Sequence, residues 1–308
     1  MDHKIIKAHL ALLLAGCMWG LMSPVGKMAM EAGVTSLSLT SMRMIGAAIC
    51  FWIASFFAPG EKVNKRDLIL LFFAGLLGIV FNQGLFIFGL SLTSPVDATI
   101  ITTSLPIITL ILAALFLKEP ASLMKITGVI MGVIGALILI LGNRNSTDVS
   151  GNIGGDLLCL VAQISFACYL TVFKGLISRY HIFTLMKWMF TYASICFLPL
   201  SIKDLLAMTS QSFSAGVWLE VGYVVLFGTF FAYVLILVGQ KTLRPTIVSM
   251  YNYVQPIVGT IVSVLLGIGT FGWIKAVASA LIFAGVYVVT QSKSRSQELK
   301  QSIPGKDE

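Results

Sequence analysis

Between Leu68 and Leu117 the chain carries one charged residue, Asp97. As a single α-helix at ~1.5 Å per residue, that stretch would be about 75 Å long, more than twice the ~30 Å hydrocarbon core of a bilayer. It must therefore cross twice, turning around Ser91-Leu-Thr-Ser-Pro95. Only 11% of the 308 residues are charged and 57% are hydrophobic, against roughly 25% charged in a soluble domain, so lipid is the solvent for most of the surface. The same reasoning along the chain predicts spans near residues 8–29, 37–58, 68–90, 96–117, 124–142, 156–177, 183–202, 217–238, 247–267 and 272–291. The expected fold is an all-α membrane protein of ten transmembrane helices.

Lysine and arginine in short loops mark the cytoplasmic side. Lys4 and Lys7, then Lys62, Lys65 and Arg66, then Lys118 and Lys125, fall on one side of such a bundle. Lys174, Arg179, Lys187, Lys241, Arg244 and the basic residues of the tail fall on the same side. This predicts a multi-pass protein of the inner (plasma) membrane, with residues 1–7 and 292–308 cytoplasmic and 143–155 an outer linker. The net charge of +8 is scattered through these loops, so it speaks for membrane topology and against nucleic acid. Lys4 and Lys7 before "AHLALLLAGC" look like a secretory signal, but the apolar run continues to Met30 and further spans follow, so a first transmembrane helix is the simpler reading.

The chain repeats itself. "PVDATIITTSLPIITLILAAL" (Pro95–Leu115) lies over "PTIVSMYNYVQPIVGTIVSVL" (Pro245–Leu265), with Pro95 on Pro245 and Pro106 on Pro256. The same offset places Gly78 on Gly228, Phe81 on Phe231, Gly89 on Gly239, Lys125 on Lys275 and Gly135 on Gly285. A slightly shorter offset places Lys27 on Lys174. Two five-span units, 8–142 and 156–291, follow. An odd number of spans makes the second unit enter from the opposite side, so the halves are expected to be inverted repeats, the usual basis of alternating access.

Pro106 and Pro256 each remove a helical hydrogen bond. In lipid, a freed carbonyl is tolerated only against protein or a watery cavity, so spans 4 and 9 are expected to face inward. Cavity candidates are Asn82, Thr99, Thr103, Pro106, Gln163, Tyr169, Tyr233, Asn252, Tyr253 and Pro256. Their amides and hydroxyls suit a polar or zwitterionic solute, although interhelical bonding explains them equally. The charges Lys27, Arg43, Asp97 and Lys174 are gating or recognition candidates. Asp97 follows Pro95 in the first turn of span 4, where helix capping and proton carriage are both open. Arg43 is expected near the outer interface, where Asp97, Glu31 or an anionic substrate group would pair with it.

The motifs "CMWGLMSPVGK", "LRPTIVSMYNYVQPIVGTIVS" and "LFLKEPAS…GVIMGVIGALIL" resemble those of the EamA-type transporters of the drug/metabolite transporter superfamily, over essentially residues 8–291. The resemblance implies a central cavity bordered by both repeats, and transport of amino acids, nucleosides, other metabolites or drugs, with many bacterial members acting as exporters. One departure stands out: Glu119 follows the proline span of the first repeat, but Gly269 occupies the counterpart.

The sequence has no nucleotide-binding glycine loop and no protease-like Ser/His, paired-Asp or zinc motif. Its five cysteines, Cys17, Cys50, Cys159, Cys168 and Cys196, lie in spans as packing residues. No enzyme activity, metal or cofactor is therefore expected. The expectation is a secondary exporter of amino acids or related polar or amphipathic metabolites, monomeric or homodimeric, driven by protons or by an exchange solute. A multidrug, nucleoside or nucleotide-sugar carrier and a non-transporting scaffold are the alternatives.

Overall fold

The computed structural model describes residues 3–92, 101–102, 104–118, 122–141, 153–209, 211–265 and 273–291. These residues are helical throughout except for short connections, with no strand among them. The elements are α1 (His3–Glu31), α2 (Ser36–Phe56), α3 (Lys65–Leu92), α4 (Leu105–Leu117), α5 (Leu123–Leu141) and α6 (Ile153–Val172). After a short helix at Lys174–Arg179 come α7 (Ile182–Thr209), α8 (Ala215–Thr242), α9 (245–265) and α10 (Trp273–Gln291). Six of these, α1, α2, α3, α6, α7 and α8, are long and apolar enough to cross a membrane. Leu105–Leu117 and parts of α5 and α10 form shorter apolar helices. Large side chains such as Leu123 (80% exposed) and Leu219 (76%) cover the outer surface, which only a lipid solvent tolerates at this density.

Each major packing contact recurs five helices along the chain. Helix α1 packs on α8 and α9, while α6 packs on α3 and α4. The pairs α2–α7 and α5–α10 map onto themselves. Glycines set the closest approaches. A Cβ on Gly128 would stand 2.8 Å from Gly285 O, and one on Gly285 would stand 2.6 Å from Gly128 O, so α5 and α10 meet backbone to backbone. A Cβ on Gly89 would meet Cys159 Sγ at 2.6 Å, and one on Gly239 would meet Leu12 at 2.4 Å. Gly89 and Gly239 are equivalent in the repeat register, and so are Cys159 and Leu12.

Two irregularities repeat as well. Helix α3 widens into a π-helix over Leu76–Gly84, and α8 does so over Leu226–Phe231. Such wide turns are rare and gather at functional sites. Pro106 occupies the first turn of α4, where its missing N–H is no loss. Pro256 sits likewise in the first turn of Val254–Leu265, just after a 3-10 turn at Tyr251–Tyr253. Pro106 therefore starts a helical segment, whereas Pro256 follows a 3-10 turn inside the contiguous helical run of α9, and both are buried.

Candidate functional site

A small cavity of ≈ 40 Å³ lies among α1, α3, α6 and α9, with Thr102 also in its lining. Asn82 and Gln83 enter from the π-helical part of α3, Gln163 from α6, and Asn252 and Gln255 from α9. Trp19, Met22, Phe86 and Phe166 complete the wall. Five amides at membrane depth are costly unless satisfied, and their partners define the site. Asn82 Nδ2 donates to Ala162 O at 3.0 Å, Gln83 Nε2 to Asn82 Oδ1 at 2.6 Å, and Gln255 Nε2 to Asn252 Oδ1 at 3.2 Å. The Trp19 indole donates to Gly228 O at 3.1 Å and packs edge-on against Phe166 and Tyr233. A Cβ on Gly228 would meet Met22 at 2.8 Å, and one on Gly78 would meet the Tyr169 ring at 2.7 Å. The two π-helices thus bring bare backbone against equivalent positions of the two halves, Met22 of α1 and Tyr169 of α6.

Behind Gln83 lies Arg43, fully buried. Its Nη2 donates to Gln83 Oε1 at 2.6 Å and its Nε to Thr229 Oγ1 at 2.9 Å. Nη1 is buried without a partner. Arg43 lies seven residues into α2, which begins at Ser36, and points into the junction of α3 and α8. Neither of its hydrogen-bond partners is Glu31.

The other candidates divide. Asn82, Gln163 and Asn252 line the cavity. Tyr169, Tyr233 and Tyr253 are fully buried and do not line it. The Tyr233 hydroxyl donates to Gly78 O at 3.1 Å, the Tyr169 hydroxyl donates to Gln240 Oε1 at 3.2 Å, and the Tyr253 ring lies against Gly132. Lys174 Nζ donates to Leu243 O at 2.8 Å and ties the end of α6 to that of α8. Thr99, Thr103 and Asp97 lie outside the described residues, and so does the side chain of Lys27. Met22, Phe86 and Phe166 were not singled out from the sequence, because nothing distinguishes them there from other apolar span residues.

A polar cluster ties the start of α3 to the connection between α6 and α7. Asp67, at the start of α3, receives the Tyr180 hydroxyl at 2.6 Å and Arg179 Nη1 at 3.2 Å. Lys241 Nζ donates to Tyr180 O, and His181 N donates to Glu61 Oε2 at 2.8 Å. The hydrogen bond to Asp67, followed by burial, pushes the Tyr180 phenol above its ordinary value. A second hollow of ≈ 510 Å³ lies between α2 and α7, but its walls include the exposed Ile49, Ile53 and Ile195, so it is a lateral apolar groove. Among the described residues, no group of His, Cys, Asp and Glu side chains gathers to hold a metal ion.

The EamA-like transporter family matches this chain twice, over residues 6–141 and 153–291. The chain belongs to that family. The double match divides the chain where the packing repeats. An uncharacterized transporter of Archaeoglobus fulgidus is 26% identical over 295 residues, which is 94% of this chain and 100% of that protein. The uncharacterized inner membrane transporter YicL of Salmonella typhimurium is 22% identical over 295 residues, covering 94% and 97% of the two chains. A crystal structure at 18% identity superposes with a TM-score of 0.75 over 92% of this chain and 96% of its own, which shows the shared fold alone. An EamA-like chain with helices of this length and apolarity is a multi-pass membrane protein, and its family is one of transporters, not enzymes.

Proposed function

We propose that this EamA-like chain is a secondary transporter of small polar or amphipathic metabolites, amino acids or close relatives, working by alternating access. In this reading ten helices form two inverted five-helix repeats with both termini in the cytoplasm, and the direction is export across the inner membrane. The observation that carries it is the recurrence of every main helix pairing, and of both π-helices, about a cavity lined by five amides. Pseudo-symmetric halves give two conformations of similar energy, one open to each side. In this reading the Asp67 cluster sits at the basic, cytoplasmic end and acts as its latch. The wall mixes amides with Trp19 and Phe166, which favours a small solute with one polar and one apolar part over a large lipophilic drug. Reconstitution into liposomes with a panel of labelled amino acids and related metabolites tests this. Saturable movement of at least one solute is expected. A folded protein that moves none of them, and is not stabilised thermally by any, would make it a scaffold instead.

A further inference from the structure

Each π-helix offers one glycine carbonyl to an aromatic side chain of the other half. Gly228 O, in the α8 π-helix, accepts from the Trp19 indole of α1 at 3.1 Å. Gly78 O, in the α3 π-helix, accepts from the Tyr233 hydroxyl of α8 at 3.1 Å. Gly78 and Gly228 hold the same place in the repeat. The two bonds form one buried unit, because Trp19 packs edge-on against Tyr233 with ring centroids 5.8 Å apart.

The acceptors repeat, but the donors do not. In the register that places Lys27 on Lys174, Trp19 falls on Phe166 and Met22 on Tyr169. The side chains seated on the two glycines keep this register, since a Cβ on Gly228 would strike Met22 and one on Gly78 the Tyr169 ring. Phe166, however, carries no hydrogen-bond donor. In the register that places Gly78 on Gly228, Tyr233 falls on Gln83, whose amide does. When inverted halves exchange conformations, each residue takes up the surroundings of its counterpart. Gly228 O then meets Gln83, and Gly78 O meets Phe166. The exchanged state has one hydrogen bond fewer.

We infer that Trp19 sets the resting bias of the transporter, favouring the conformation described over the exchanged one because Phe166 cannot repeat its bond. This rests on the alternating-access reading and adds which state is preferred and which residue prefers it. On that reading the conformation described, with the Asp67 cluster joined, is the one closed to the cytoplasm. Trp19 and Phe166 both line the cavity, so the bias sits in the wall that a solute touches.

The test uses Gln163→Cys in a chain whose five natural cysteines are replaced, labelled in proteoliposomes by a membrane-impermeant maleimide from each side. Trp19→Phe should raise the ratio of cytoplasmic to outer labelling about two- to tenfold, the worth of one net hydrogen bond. Phe166→Trp supplies the donor that the exchanged state lacks and should raise the ratio by a similar factor. The two together should raise it further than either. If Phe166→Trp does not fold, Tyr233→Phe serves as the second variant. It removes the bond to Gly78 O while Gln83 keeps its counterpart, so the ratio should again rise. A Trp19 that only packs would lower the melting temperature and leave the ratio unchanged in every folded variant, which overturns the inference. So does a ratio that falls in Trp19→Phe. Labelling from one side alone in every variant overturns the alternating-access reading, and this inference with it.

Discussion

Thr229 Oγ1 accepts from Arg43 Nε at 2.9 Å while donating to Val224 O at 2.8 Å. One hydroxyl therefore serves both the buried cation and a carbonyl at the edge of the α8 π-helix. Thr229→Val keeps the shape and removes both bonds. Leaving buried donors and acceptors unmade costs about 1–3 kcal/mol, so thermal unfolding in detergent should show a clear drop. Thr229→Ser, which keeps the hydroxyl, should lie close to the unmodified protein.

At the α5–α10 crossing, the atom that a Cβ on Gly128 would strike is backbone, Gly285 O at 2.8 Å. No rotamer change relieves that. Gly128→Ala should cost about 1–3 kcal/mol, as overpacking does, seen as lower expression and a lower melting temperature. Gly222→Ala meets nothing within 4 Å, and is the control expected to show little change.

The helices were legible in the sequence because lipid imposes a simple rule: a long apolar run must be helical and about one bilayer thick. The repeat register was legible because Pro106 and Pro256, Gly78 and Gly228, and Gly89 and Gly239 keep it through otherwise degenerate apolar sequence. The amides of Asn82, Gln163 and Asn252 could be found because polar groups at depth stand out. The partners of Arg43, Gln83 and Thr229, were not legible, since counting along a span says how deep a residue lies but not which neighbours enclose it. The π-helices left no compositional trace, because widening a turn changes hydrogen-bond partners and not residue types. The tyrosines stand out as polar groups at depth for the same reason, yet the phenols of Tyr169 and Tyr233 bond to protein, at Gln240 Oε1 and Gly78 O.

Replacing the cavity amides should separate function from folding. Gln163→Leu and Asn252→Leu keep side-chain volume roughly constant and remove groups that face the hollow. Transport should fall at least tenfold in proteoliposomes while the melting temperature changes little. An equal loss of folding would make these residues interhelical bonds.

The Asp67 cluster should bias the conformational equilibrium. Arg179 is half exposed and Asp67 is buried, so screening limits the pair to about 0.2–1 kcal/mol, up to about fivefold in population. Asp67→Asn should raise the reactivity of a cavity cysteine from the cytoplasmic side by that order. The Tyr180 phenol is raised in the folded state by its bond to Asp67. Its contribution is therefore fully present below its ordinary value of 10.0 and lost only as pH rises through the raised one. Closure should accordingly be insensitive to pH in the neutral range as far as Tyr180 is concerned, and Tyr180→Phe should loosen it at every pH below 10.

A single cysteine at position 163, in a chain whose five natural cysteines are replaced, tests alternating access most directly. A membrane-impermeant maleimide should label it from either side of the membrane in turn. Asp67→Asn should increase labelling from the cytoplasmic side and decrease it from the other. Labelling confined to one side in both proteins, or absent from both, would contradict a central site that two inverted halves expose alternately.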